Sequence, residues 1–425
     1  MKILPSRPCR RQTREVSKML KGTLLVGQSG GPTPVINASL AGVILSAREH
    51  AEITGIYGMI HGIEGVLKDE LVDLQRESPQ IIENLVYTPA SALGSCRHKI
   101  EDKEYERILE VCREHNVRHF VYIGGNDSMD TCKRISELAT STGYEIQVMG
   151  VPKTIDNDLA VTDHSPGYGS AARFLALATR DTGLDLESMA TFEDVVILEA
   201  MGRNAGWLAA ASALAKTTED EAPHLVYVPE LAFDETKFLD AVSRIHARIG
   251  RVYVVVCEGV RDANGDFVGT HRMKKTTDAF GHTLSTFTIG VAAYLADLVG
   301  DQLHLRARFL RPVLIGRTMS ACVSEVDRRE SFRVGQGAVK RLAGGETGLM
   351  MLLNRISTSP YRCETGAVSL ESVANAEKLL PRDFLEDSGV LPNEKFKEYA
   401  LPLVGEAWQP VARLEKYRIK TGNEL

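Results

Sequence analysis

Residues 251–259, RVYVVVCEG, form the most β-branched stretch of the chain, and DVVILEAMG at 194–202 has the same character. Continuous Val, Ile and Leu without polar alternation suit a strand buried on both faces, which points to parallel sheet covered by helices. Working outward, similar runs recur as TLLVG (23–27), RHFVYIGG (118–125) and EIQVMGVP (145–152). Helical stretches follow them, VINASLAGVILSAREH at 35–50 and SMDTCKRISELATS at 128–141. This alternation predicts an α/β fold of two doubly wound, Rossmann-like domains with mainly parallel sheets, the first ending near residues 160–168.

Size and composition agree with that division. The 425 residues suffice for two to three domains at roughly 150 each, and 44% hydrophobic with 25% charged residues is ordinary globular usage. A formal charge of -6 gives no global nucleic-acid footprint. Cys9, Cys96, Cys112, Cys132, Cys257, Cys322 and Cys363 are scattered without a Cys-x-x-Cys pair, so neither a zinc site nor a redox dithiol is expected and a reducing cytoplasm is the expected setting. No apolar run reaches the ~20 residues needed to cross a bilayer. Residues 1–21 carry seven basic residues and one acidic, and read as a tail ahead of the first strand.

In open α/β sheets, ligands sit beyond the carboxyl ends of the strands. Each of the five runs leads there into Gly, charged or amide residues: GQSGGPTP, GGNDS, KTIDND, MGRNAG and EGVRD. Gly27, Gly30 and Gly31 can expose backbone N–H groups at a helix start, which makes either an anion site or simply a tight turn. Gly124 and Gly125 repeat the arrangement, with Asn126, Asp127 and Ser128 opening the next helix as ligands or as caps. Asp156, Asn157 and Asp158 crowd three acceptors together. Unless they form a solvated, capped turn, a cation, a proton or a donor-bearing ligand must share their space. Asp156 is then a candidate general base for a hydroxyl, with Asp158 or Asp127 assisting a metal ion, and Lys153 and Thr154 candidates for phosphate contact. Arg97, Arg203, Arg308 and Arg317 are candidate phosphate clamps, because the guanidinium fork matches phosphoryl oxygens.

In order and spacing, GQSGGPTPVINA (27–38), ITGIYGMIHGIEGV (53–66), LGSCR (93–97), GGNDS (124–128), PKTIDND (152–158), MGR (201–203), EG (258–259) and the Arg308–Arg317 pair resemble the phosphofructokinase family. The resemblance runs from about residue 22 to 350. It implies phosphoryl transfer to the 1-hydroxyl of fructose 6-phosphate in a cleft between the domains. A phosphate-donor domain would comprise 22–167 with 316–370, and a sugar-phosphate domain 168–315 with 371–425. Asp156 would be the base. Arg97 and Arg203 would neutralise the transferred group, and Asp127, Asp156 and Asp158 would hold Mg²⁺. Gly30, Gly31, Gly125, Asn126, Asp127, Ser128 and Lys153 would hold the donor. Thr154, Met201, Gly202, Arg203, Glu258, Arg308 and Arg317 would hold the sugar phosphate.

ATP-using members of that family carry Gly where this chain has Asp127 and Lys153. An acid there repels an α-phosphate, whereas the ammonium pairs with a shorter donor. The pair resembles the pyrophosphate-dependent branch, which implies inorganic pyrophosphate as donor and a reversible glycolytic step, the ATP-dependent reaction on the same sugar being the nearest alternative. Asn126 stands in place of the family's usual metal-associated Asp, and Leu314 in place of its sugar-site His or Tyr. Phe192, Glu193 and Asp194 lie where some members supply an Arg from a neighbouring subunit. From about 355 to 425 the sequence is read as α-helical closure of the second domain with oligomer contacts, and a homodimer or homotetramer is expected. A non-catalytic sugar-phosphate sensor would not require Asp156, and an NAD-dependent dehydrogenase is disfavoured because no Gly-x-Gly-x-x-Gly opens the first helix. Neither nucleic acid nor membrane is an expected partner.

Overall fold

The computed structural model of the chain describes residues 20–269, 290–373 and 376–416, with the backbone of 276–277 and 283–284. The basic segment 1–21 lies, except for its last two residues, outside that set. The strands are β1 (Gly22–Gln28), β2 (Ile53–Met59), β3 (Leu71–Asp73), β4 (Val117–Gly124), β5 (Gln147–Pro152), β6 (Val195–Ala200), β7 (Leu225–Tyr227), β8 (Val252–Cys257), β9 (Thr276–Thr277), β10 (Thr283–Leu284), β11 (Ala307–Leu310), β12 (Leu349–Thr358) and β13 (Tyr361–Ser369). The helices used below are α1 (Ile36–Ala47), α2 (Ile63–Leu67), α3 (Pro79–Leu85), α4 (Asp102–Glu114), α5 (Asn126–Ser141), α6 (Tyr168–Ser188), α7 (Trp207–Ala211), α8 (Glu235–Ile249), α9 (Val291–Leu303), α10 (Val313–Gly316), α11 (Glu325–Ala343) and α12 (Glu394–Ala400). None of the described helices is long and apolar enough to cross a membrane.

Two sheets divide these strands. The larger has the order β13-β12-β5-β4-β1-β2-β3, and the smaller β11-β6-β8-β7. The pairs β1–β2, β1–β4, β4–β5 and β5–β12 are parallel, as are all three pairs of the smaller sheet. Only the two edges of the larger sheet, β3 and β13, run antiparallel. Every residue of β1, β5, β6 and β8 is buried, which is why their sequences show no alternation. Each fully buried Val, Leu or Ile contributes about 1.5–3 kcal/mol relative to exposure. The larger sheet carries separate apolar clusters centred on Ile36, Leu40 and Val334 and on Phe120, Ile108 and Met129. The smaller packs with α6, α7, α8 and α9 around Val254, Leu198 and Phe238.

In the larger sheet the order reverses at β1, which has β2 on one side and β4 on the other. That is a topological switch point, the place where a crevice opens beyond the strand ends. In the smaller sheet β6 is flanked by β8 and β11, so its exit is likewise bordered on both sides.

One expectation is corrected here. Residues 355–369 are not helical but complete the hairpin β12–β13, with Leu353 opposite Thr365 and Leu349 opposite Ser369. The hairpin joins the larger sheet where Leu349 pairs with Met149. Among the described residues beyond the hairpin, α-helix returns only at α12, whose Phe396 and Ala400 are fully buried beside the smaller sheet's core.

Candidate functional site

The β1 exit is a glycine turn. Gly30 has φ +74, and a side chain there would meet Lys153 Nζ at 3.0 Å. The buried amides Gln28 and Asn37 organise the segment opposite. Gln28 Nε2 donates to Asn37 Oδ1 at 2.9 Å, Gln28 Oε1 accepts from Leu93 N, and Asn37 Oδ1 accepts from Ala92 N. With Gly30 N donating to Cys96 O at 3.3 Å, these bonds fix the backbone that carries the exposed Arg97.

The β4 and β5 exits meet this turn. Ser128 in the first turn of α5 donates to Ser29 Oγ at 3.0 Å, and Lys153 N donates to Gly124 O at 3.0 Å. Gly125 caps α5, Asp127 lies exposed in its first turn, and Asn126 Oδ1 is buried without a hydrogen-bond partner. The 16-residue α5 therefore aims its free N–H groups and positive dipole end at the crevice between β1 and β4. The Lys153 side chain is buried and donates to Gly31 O at 2.8 Å. Burial pulls its pKa down to about 8 against the opposing pull of Asp156 and Asp158, while Arg317 and Arg97 add to the depression.

Beyond Lys153 the chain turns back on itself. Thr154 N donates to Pro166 O at 3.1 Å, and Thr154 Oγ1 accepts from Asp156 N at 3.1 Å. Asn157, at φ +56, is fully buried and uses its amide structurally, accepting from Ser165 N and donating to Tyr399 OH. Its neighbour Asp156, by contrast, has Oδ1 buried without a partner. Burial pushes the Asp156 carboxyl up to about 7, aided by Asp158 and then Glu258 and opposed by Arg203 and Lys153. Asp158 is raised by burial too, against a hydrogen bond from Thr154.

The smaller sheet supplies the facing wall. Gly202 has φ +139 and Arg203 φ +41, so the β6 exit is a strained turn. Arg203 N donates to Glu258 Oε1 at 3.4 Å, and Glu258 N donates to Ala200 O at 2.8 Å, joining the β8 and β6 exits. The Glu258 carboxyl is raised by burial and by nearby Glu199, while Arg203 opposes the rise. Met201 is partly buried and accepts from Cys257 Sγ through its carbonyl. A Cβ on Gly259 would stand 1.4 Å from Arg203 O, so only glycine lets these two turns touch. Gly259→Ala should therefore lower Tm, since overpacking costs about 1–3 kcal/mol. Because Arg203 must move, kcat/KM should fall further than the lost stability explains; a variant with unchanged turnover would show that the contact is dispensable.

The two expected sugar-phosphate arginines part company. Arg317 stands against the β1-exit turn, its Nη1 3.0 Å from where a Gly31 side chain would begin. Its Nε is buried without a partner, and Arg97 repels it within the same field as Asp156 and Glu258. Arg308 lies instead on the edge strand β11, largely exposed, with Nε 2.6 Å from Glu193 Oε1. It does not join the group. The residue that follows β11, Arg311, reaches inward to the buried Glu199 at 2.8 Å, and had not been singled out from the sequence. A sixth strand exit was its only signal.

Gly30, Gly31, Gly125, Asn126, Ser128, Lys153, Asp156, Asp158, Arg203, Glu258 and Arg317 thus gather at the exits of β1, β4, β5, β6 and β8. Chemically the set offers a carboxyl near neutrality beside acids and cations, with glycine N–H groups for an anion. Lys153, Arg97 and Arg317 repel one another while Asp156 attracts both Lys153 and Arg317, so the group combines cations with their counter-charges. The buried unpartnered oxygens of Asp156 and Asn126 are of the kind that suits a hard cation. A separate cluster of His164, Glu330 and Cys363 is an ion-pair network instead, because Nδ1 and Nε2 of His164 already meet Asp163 at 2.8 Å and Glu330 at 2.7 Å.

Comparison with known proteins adds the following. The family profile described as Phosphofructokinase matches residues 23–342. A pyrophosphate–fructose 6-phosphate 1-phosphotransferase of Xanthomonas campestris is 43% identical over 396 residues, covering 92% of this chain and 93% of that one. The crystal structure of a pyrophosphate-dependent phosphofructokinase from Nitrosospira multiformis superposes with a TM-score of 0.82 at 38% identity, covering 92% and 94% of the two chains. That of another from Marinobacter aquaeolei gives 0.82 at 37%, covering 95% and 100%.

Proposed function

Since the chain belongs to the phosphofructokinase family, we propose that it transfers a phosphoryl group from inorganic pyrophosphate to the 1-hydroxyl of fructose 6-phosphate, giving fructose 1,6-bisphosphate and phosphate. The observation that carries the choice of donor is Lys153. Its buried ammonium closes against Gly30 and Gly31, filling volume that a longer donor would need and leaving further N–H groups for a terminal phosphate. Relatives named for pyrophosphate, similar over nine-tenths of the chain, support the same donor.

In this reading Asp156 accepts the hydroxyl proton as the oxygen attacks in line, and the phosphoryl group passes between Arg97, Arg203 and Arg317. Phosphoryl transfer needs positioning and charge compensation more than covalent chemistry, and those three guanidiniums supply the compensation. The donor diphosphate rests on the Gly30–Gly31 turn, on Gly125, Asn126 and Ser128 at the start of α5, and on Lys153. Glu258, Thr154, Met201 and Gly202 orient the sugar, Glu258 through its hydroxyls. Asp158 and Asp127, with Asp156 adjoining, would hold Mg²⁺, which when bound neutralises diphosphate charge. Pyrophosphate and the sugar ester lie close in transfer potential, so the reaction runs in both directions. A homo-oligomer belongs to this reading, with exposed Arg308 and half-exposed Phe309 on β11 available to a neighbouring subunit.

The test is a donor and acceptor panel with Mg²⁺ in both directions. With fructose 6-phosphate, kcat/KM for pyrophosphate should exceed that for ATP at least ~10-fold. A higher value with ATP would overturn the proposal.

A further inference from the structure

Residues 376–380 form a strap that lies beyond the stretch matched by the family profile and touches both walls of the site. Lys378 N donates to Asp158 O at 2.8 Å, and Glu377 bridges to Leu159 as an isolated antiparallel pair. The Lys378 ammonium spends its three donors on one loop: Asn157 Oδ1 at 3.2 Å, Thr162 O at 3.2 Å and Asp163 O at 2.9 Å. That loop carries Asp156 and Asp158. On the other side, Trp207 Nε1 donates to Lys378 O at 2.9 Å, Asn204 Nδ2 donates to Glu377 at 3.0 Å, and Leu380 N donates to Glu230, which also accepts from Gly206 N. Asn204, Gly206 and Trp207 follow directly on Arg203, and Glu230 ties Leu380 to them.

We propose that the strap is a brace setting the distance between the carboxylate loop and the Arg203 turn, with Lys378 as a positioning residue for phosphoryl transfer. None of the ammonium's three acceptors is a carboxylate; its charge is met at longer range by Asp163 and Asp158 of the same loop and by the Trp207 ring at 5.1 Å. Holding an ammonium on three neutral oxygens of one loop fixes those oxygens relative to one another. The three converging hydrogen bonds make the carboxylate loop rigid where the strap meets it. Positioning matters because a displacement near 1 Å at the reacting atoms can cost about 100-fold in rate.

The inference rests on the proposed activity, so the wild-type enzyme is assayed first with pyrophosphate; absence of transfer there would sink that reading and not this one. Lys378→Met keeps the length and apolar stem but removes the donors. It should lower kcat about 10-fold or more in both directions while changing KM for either substrate less than about threefold. Glu377→Ala, at the exposed end, removes the acceptor for Asn204 and should lower kcat by a few-fold with Tm unchanged. Wild-type kcat in Lys378→Met, or a loss of kcat in that variant no larger than its loss of folded protein together with wild-type kcat in Glu377→Ala, would overturn the brace.

Discussion

Asp156→Ala lowers kcat ~10²-fold or more while fructose 6-phosphate binding stays near wild type, as measured by steady-state rates and by calorimetric titration of the sugar phosphate. The magnitude is that of a general base, and binding survives because Glu258, Thr154 and the arginines are untouched. The wild-type pH profile carries the same signature. Burial raises this carboxyl to about 7, so the fraction able to take a proton falls as pH drops through that value. Forward kcat/KM should decline about tenfold per unit below pH 7. In the reverse direction the protonated form donates, so the decline lies above pH 7. Both limbs should vanish in the alanine variant, and a persistent acid limb, or near-normal turnover, would remove Asp156 from the role.

Lys153→Met should weaken pyrophosphate use by about 10- to 100-fold in kcat/KM, because a hydrogen bond to a charged group is worth about 1.5–3 kcal/mol. In the wild type the ammonium deprotonates as pH rises through about 8. Pyrophosphate use should therefore fall above pH 8, and the methionine variant should lack that dependence. Removing both obstructions, Asp127→Gly with Lys153→Gly, should raise ATP use relative to pyrophosphate. An unchanged ratio of the two kcat/KM values would show that other residues exclude the nucleotide.

Double burial made the central strands legible. β1 and β8, expected over 23–27 and within 251–259, occupy Gly22–Gln28 and Val252–Cys257, since a strand covered on both faces tolerates little but aliphatic residues. Their exits were legible for the converse reason: glycine and clustered charge are costly where no ligand or tight turn needs them. The hairpin β12–β13 hid itself because it is half solvated. Asn354, Arg355 and Thr358 interrupt β12, and the period-two burial of its second half went unused as a signal. Arg311 was overlooked because β11 is only four residues long and two of them are exposed. Lys378 was invisible for a different reason, since its partners at 157–163 and 207 are far away in sequence, and nothing local distinguishes it from a surface lysine. Arg308 and Arg317 share a motif, yet one sits on an edge strand and the other faces the turn at Gly31, a separation that sequence spacing does not encode.

The parallel junction of β12 with β5 means that the nascent chain cannot finish its first sheet in the order it is made. Met149 waits for Leu349, and Gln147 Nε2 for the carbonyl of Leu342, until the whole of the second sheet has left the ribosome. Closing so long a loop is entropically slow, and meanwhile β5 presents an unpaired aliphatic edge open to mispairing. Because KTIDND hangs directly from that strand and is held by Tyr399 and Lys378, the acids proposed to react are fixed only once the C-terminal residues have arrived.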